Sequence, residues 1–201
     1  MSAQDDLAYV REVAKRGAEA PLGGGRTLLW WGLIMAVSLT AHWMIMVGMM
    51  FTPGMSFLIL WTSAIFIGWI GSFVITARAR AKGGTMTHAN QTSAAVWLGS
   101  GAFLTVFAFA IVMRQMTDPL GMFLYDIILA VATGVYGIAF ATTAAVSGQR
   151  WLGAFALIAF GFSGIYVFLL GDPRLYLAAA FGTALTVGLP GAFIMMTGRR
   201  G

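Results

Sequence analysis

Residues 27–77 read TLLWWGLIMAVSLTAHWMIMVGMMFTPGMSFLILWTSAIFIGWIGSFVITA, and not one of them is charged. A helix that crosses the hydrocarbon of a bilayer needs roughly 20 apolar residues, so this run holds two crossings and not one. Thr52-Pro53-Gly54 supplies the turn between them, which predicts spans near residues 28–50 and 56–77. Charges mark the remaining limits, because a charge in hydrocarbon costs several kcal/mol and is carried by connections instead. Arg78, Arg80, Lys82, Gly83-Gly84 and His88-Ala89-Asn90-Gln91 form a polar connection, and a third span follows from Ser93 to Met113. Arg114 to Pro119 close it. The fourth span is read at 121–145, the fifth at 151–170 and the sixth at 175–196, with Gly171-Asp172-Pro173-Arg174 between the last two.

Composition agrees. Of 201 residues 59% are hydrophobic and 9% are charged, with a mean hydropathy of +0.84. Soluble domains carry about a quarter charged residues, and no soluble core absorbs this much apolar surface. The chain has no cysteine, which excludes disulfides, thiolate metal sites and cysteine nucleophiles. Asp5, Asp6, Arg11, Glu12, Lys15, Arg16 and Glu19 stand where a signal peptide needs an apolar stretch. Residues 1–26 are therefore expected to form a cytoplasmic amphipathic segment. Residues 27–201 are expected to form an all-α, six-helix transmembrane domain, with hairpins at about 28–77, 93–146 and 151–197.

Ten of the twelve basic residues fall on the side of the termini, and Arg114 and Arg174 alone fall opposite. By the positive-inside rule both termini are expected in the cytoplasm of a bacterial-type inner membrane. Anionic lipid then accounts for the pI of about 10.1, and nucleic acid is not an expected partner. Trp30, Trp31, Trp97 and Trp151 are expected at the cytoplasmic headgroup boundary, with Tyr125 and Tyr176 at the opposite one.

A repeat organises the spans. Pro53, Pro119 and Pro173 each close the first arm of a hairpin; fifteen residues later come Gly68, Gly134 and Gly188, and three further on Gly71, Gly137 and Gly191. Trp97-Leu98-Gly99 and Trp151-Leu152-Gly153 begin twenty-two residues before their prolines, and Trp30-Trp31-Gly32 does so with one residue more. The unit is Trp-x-Gly, span, Pro, span, Gly-x-x-Gly. Membrane helices associate through close backbone contact at small residues, so each Gly-x-x-Gly is expected at a helix crossing. Pro190 falls inside the sixth span and is expected to kink it.

Trp97-Leu98-Gly99 with Pro119, and Trp151-Leu152-Gly153 with Asp172-Pro173-Arg174-Leu175-Tyr176-Leu177 and Gly188, resemble the HdeD-like acid-resistance membrane proteins. The resemblance covers most of residues 28–197. It implies three similar hairpins and a stress-related membrane role, and it carries over no catalytic residue or cofactor.

Function is sought where the repeats differ. Asp126 is the one acid inside a predicted span, with Leu60 and Ala180 at the equivalent places. His42 is the one histidine inside a span, opposite Phe109 and Ser163. Both lie toward the end opposite the termini, where a His-Asp pair is placed to sense or relay protons or to handle a cation. The competing readings are an Asp126 that reaches interfacial water and a His42 bonded to a neighbouring helix. His42, Met46 and Met49 fall at i, i+4 and i+7, a soft donor set suited to copper or haem iron, although methionine more often fills gaps or meets lipid. One His and one Asp are thin material for acid-base or nucleophilic catalysis, so no enzyme activity and no cofactor are expected. The expected role is that of an accessory, stress-response membrane protein acting through homo-oligomer or partner contacts. Proton or cation transport through His42 and Asp126 is the alternative, with a pore more naturally formed between subunits than within one.

Overall fold

The computed structural model describes residues 22–50, 56–81, 87–117 and 123–197, together with Asp6 and Tyr9. Most of the expected N-terminal segment, the turn residues Pro53 and Pro119, Gly83-Gly84, and Met55 and Met122 lie outside the described residues. Six helices are long and apolar enough to cross a membrane, and no strand occurs among the described residues. They are α1 (Gly25–Met46), α2 (Ser56–Ala81), α3 (His88–Thr117), α4 (Phe123–Ser147), α5 (Trp151–Phe168) and α6 (Arg174–Thr197). The end where α1 begins and α6 finishes is here the near end, and the other is the far end.

The helix limits have local causes. α1 stops at Met46, earlier than the apolar run suggests, because Gly48 adopts a left-handed φ of 72°. The Gly48 N–H bonds the Ile45 carbonyl at 3.1 Å and the Met49 N–H bonds the Met44 carbonyl at 2.9 Å, a Schellman closure that satisfies the last carbonyls. α3 starts at His88, five residues before the expected Ser93, because the Thr87 hydroxyl caps the Asn90 N–H at 3.2 Å. Asn90 in turn accepts the Gly23 N–H at 2.8 Å, so a residue read as part of a loop ties the start of the chain to α3. Within the spans, Thr40, Thr62, Thr105, Thr133, Thr142, Thr143 and Thr186 each donate to the carbonyl four residues back, which satisfies their hydroxyls where no water is available.

Near Pro190 the sixth helix changes its helical register. The missing N–H and the ring of Pro190 are incompatible with an ordinary bond to the carbonyl of Thr186, and residues Ala184–Gly188 form a π-helical turn immediately before it.

The helices pack in the order α2, α1, α6, α5, α4, α3. α6 and α4 are the most enclosed, whereas α2 packs mainly on α1 and α3 mainly on α4. The outer faces of α2 and α3 carry Phe66, Phe73, Phe103, Val106 and Phe109, all exposed as lipid-facing residues are. Two cores result. At the far end Leu39, Leu129, Tyr166, Leu175, Tyr176 and Ala179 pack together with Trp43 and Trp61 against them. At the near end Phe140, Leu152, Ala156 and Ile194 pack with Leu28, Trp97 and Trp151.

The glycine pairs do mark crossings, each of a different kind. A Cβ on Gly32 would lie 2.5 Å from the Gly188 Cα, and one on Gly191 would lie 2.5 Å from the Leu29 nitrogen, so α1 and α6 touch backbone to backbone. Gly68 and Gly71 instead receive the rings of Trp31 and Trp30, whose indole N–H groups reach Ser72 Oγ at 2.7 Å and the Gly68 carbonyl at 3.3 Å. Gly137 receives the Phe160 ring and Gly134 faces Ser163, which donates to the Ala130 carbonyl at 2.7 Å. Gly68 and Gly71 thus pack on α1, Gly134 and Gly137 on α5, and Gly188 and Gly191 on α1.

Candidate functional site

His42 and Asp126, the two residues singled out inside the spans, converge at the far end. His42 lies one turn before the end of α1 and is 5% exposed. Phe57 and Trp61 stand four residues apart on α2, and that spacing turns both toward it. Trp61 Nε1–H donates to His42 Nδ1 at 2.9 Å, and the Phe57 ring lies 4.4 Å from the imidazole, centroid to centroid. On the other side the imidazole stacks on Tyr176, in the first turn of α6, at 3.8 Å and 10° between planes. The Tyr176 hydroxyl donates to Asp126 Oδ1 at 2.7 Å. Asp126, in the first turn of α4 and 3% exposed, accepts the Gly171 N–H on its other oxygen at 2.9 Å.

His42 and Asp126 are therefore brought together, but through Tyr176 and not directly. Each carboxylate oxygen of Asp126 accepts one hydrogen bond from a donor of the same chain. Asp126 is withdrawn from the protein surface. Gly171 presents its N–H from a left-handed turn, φ 82°, that a side chain would strain. The next residue, Asp172, turns away from this cluster. It accepts the Arg174 N–H at 2.8 Å and pairs with the Arg174 guanidinium at 3.0 Å. The Arg174 backbone N–H, then its side chain, hold the Asp172 carboxyl below the usual carboxylate range.

The hydrogen bonds assign the imidazole proton. Nδ1 accepts from Trp61, so in the neutral ring the proton is on Nε2. That Nε2 is buried and has no hydrogen-bond partner. Neither nitrogen touches Tyr176 or Asp126, since the rings meet face to face. Tyr176 and Asp126 are hydrogen-bonded to each other, but no hydrogen bond joins them to His42.

Met49 does not share the helical face that carries His42 and Met46. α1 ends at Met46, which packs into the far-end core, and Met49 lies beyond the helix end, 64% exposed. The i, i+4, i+7 face is interrupted by Gly48. Among the described residues no three His, Asp or Glu side chains gather as a metal site.

Trp61 and Tyr176 are the two members that sequence reasoning missed. Tyr176 was expected at the headgroup boundary, yet it is 3% exposed and central to the far-end core. Its position beside the Asp172-Pro173-Arg174 turn is the same for an interfacial and for a buried tyrosine, so the pattern alone did not separate them.

The chain matches no protein-family model, no curated protein and no solved structure.

Proposed function

We propose that the chain is a small, non-enzymatic inner-membrane protein of three tandem hairpins, with both termini in the cytoplasm, that acts through contacts with copies of itself or with membrane partners. The observation that carries this reading is the state of Asp126. Its two oxygens are occupied by Tyr176 and Gly171, so the one acid inside a span ties α4 to α6 instead of standing open to an ion. A transport carboxylate offers oxygens to its cation or to water in a cavity. The resemblance to HdeD-like proteins adds the expectation of a stress-related role. Reconstituted wild type, Asp126→Asn and His42→Ala are expected to show the same pH-dependent ion flux in proteoliposomes, while both variants unfold more readily. A flux that either variant abolishes overturns this reading.

Proton or cation handling is the second reading, and the buried, unpartnered Nε2 of His42 favours it. Native proteins rarely leave such an atom unsatisfied without a reason. Under this reading His42→Ala removes flux.

A further inference from the structure

α2 is attached to α1 at two places of different chemistry. In its second half the Trp30 and Trp31 rings fill the spaces left by Gly71 and Gly68 and bond to the Gly68 carbonyl and Ser72. In its first half Trp61 donates to His42 Nδ1, and Phe57 is laid against the imidazole. Beyond α1, no other helix packs extensively on α2 among the described residues.

The lone pair that Trp61 occupies is the basic one. A neutral imidazole accepts a proton only at the nitrogen that lacks one, which here is Nδ1. Indole N–H and solvent proton therefore compete for one lone pair, and once Nδ1 carries a proton it faces the Trp61 N–H donor to donor. The other contacts of the ring respond in the opposite sense. An imidazolium stacked on Tyr176 is attracted to the ring face, and the Tyr176 hydroxyl leads to the carboxylate of Asp126.

The groups around His42 allow this exchange. Phe57 and Trp61, from α2, do not titrate. Tyr176 faces it from α6, and Asp126 stands behind Tyr176 on α4. Arg174 and Asp172, at the start of α6, pair with each other. The other charged residue of α1, Arg26, lies at the opposite end of that helix.

We propose that the His42–Trp61 contact is an acid-opened latch: protonation of His42 moves its attachment from α2 to the Tyr176–Asp126 pair and frees the first half of α2 to swing about the Trp30 and Trp31 anchor. This goes beyond the accessory role above and needs no ion flux, so the proteoliposome result and the latch stand or fall separately.

The absence of native cysteine allows spin labels to be placed at will. One pair, Val47→Cys with Leu58→Cys, reports the far ends of α1 and α2; a second, Leu33→Cys with Phe73→Cys, reports the anchored half, and all four side chains are exposed. Distances are measured by pulsed electron paramagnetic resonance on the full chain in lipid nanodiscs, from about pH 8 to about pH 3. The far pair is expected to lengthen and broaden reversibly on acidification while the anchored pair holds its distance. His42→Phe, which keeps an aromatic ring but cannot titrate, is expected to abolish the response. A far-pair distance that is constant with pH, or a response that persists in His42→Phe, overturns the latch. Should His42→Phe fail to fold, Trp61→Phe decides: a distribution already broad at neutral pH and insensitive to acid supports the latch, and the wild-type narrow distribution with its acid response intact overturns it.

Discussion

The two ends of this molecule hold the same helices together by different means. At the near end α1 meets α6 through Gly32 and Gly188, backbone against backbone, with Gly191 against Leu29 one turn on. At the far end the same two helices meet through the stacked rings of His42 and Tyr176, with hydrogen bonds leading outward to Trp61 on α2 and Asp126 on α4. Lipid offers little hydrophobic drive for helix association, so each contact must rest either on close approach or on polar bonds. Close approach is steric and indifferent to pH. The polar end is directional and can be altered by a single proton.

The largest effect that tests this contrast is expected at Gly32. A side chain there meets the Gly188 backbone, which cannot yield as a flexible side chain does, so Gly32→Val should cost about 3 kcal/mol or more, the upper range of overpacking. Gly99, the same landmark in the second hairpin's Trp-x-Gly, has nothing within 4 Å of an added Cβ. Gly99→Val is expected to be close to neutral in thermal or denaturant unfolding. Equal losses at both positions would mean that the near-end seam is not what holds α1 to α6.

Next comes the far-end carboxylate. Asp126→Ala leaves the Tyr176 hydroxyl and the Gly171 N–H without their acceptor, and about 2 kcal/mol of stability is expected to go with it. Asp126→Asn keeps one carbonyl oxygen and is expected to lose about half as much. Should the two substitutions cost the same, Asp126 contributes through its charge and not through the bonds its oxygens accept. Gly171→Ala strains a left-handed turn and should cost about 1 kcal/mol by the same assay, without disturbing the near end.

What the sequence revealed, and what it concealed, follows the same division. The spans were legible because charges avoid hydrocarbon, and Pro190 announced its irregularity because a missing N–H has few remedies. Every Gly-x-x-Gly was legible as a crossing. Which helix each one meets was not, since Gly68 faces a tryptophan ring and Gly188 a bare backbone behind the same three-residue spacing. Gly48 was missed as the end of α1 because one glycine among 26 carries little signal until its φ is known. His42 and Asp126 stood out as polar residues in apolar runs. Trp61 and Tyr176 did not, because an aromatic residue near a span end satisfies either a headgroup boundary or a buried hydrogen bond, and tertiary packing decides between them.

The smallest effect expected is at Asp172, and it bears on any acid response of the far end. Arg174 holds the Asp172 carboxyl below the usual carboxylate range, so folding favours the ionised form. That contribution is complete above the unfolded value of about 4 and fades as pH falls through the lower folded one. Asp172 is thus a second group at the far end that acid can alter, and it lies four residues before Tyr176, which donates to Asp126. Its pairing is with a guanidinium that is 81% exposed, where solvent and salt screen the attraction. Asp172→Asn is accordingly expected to leave the neutral-pH unfolding midpoint almost unchanged and the far-end acid response intact. If that substitution removes the response while His42→Phe retains it, the proton acts on the turn between α5 and α6 and not on α1, and the contrast between a steric near end and a protonatable histidine knot has to be redrawn around Arg174.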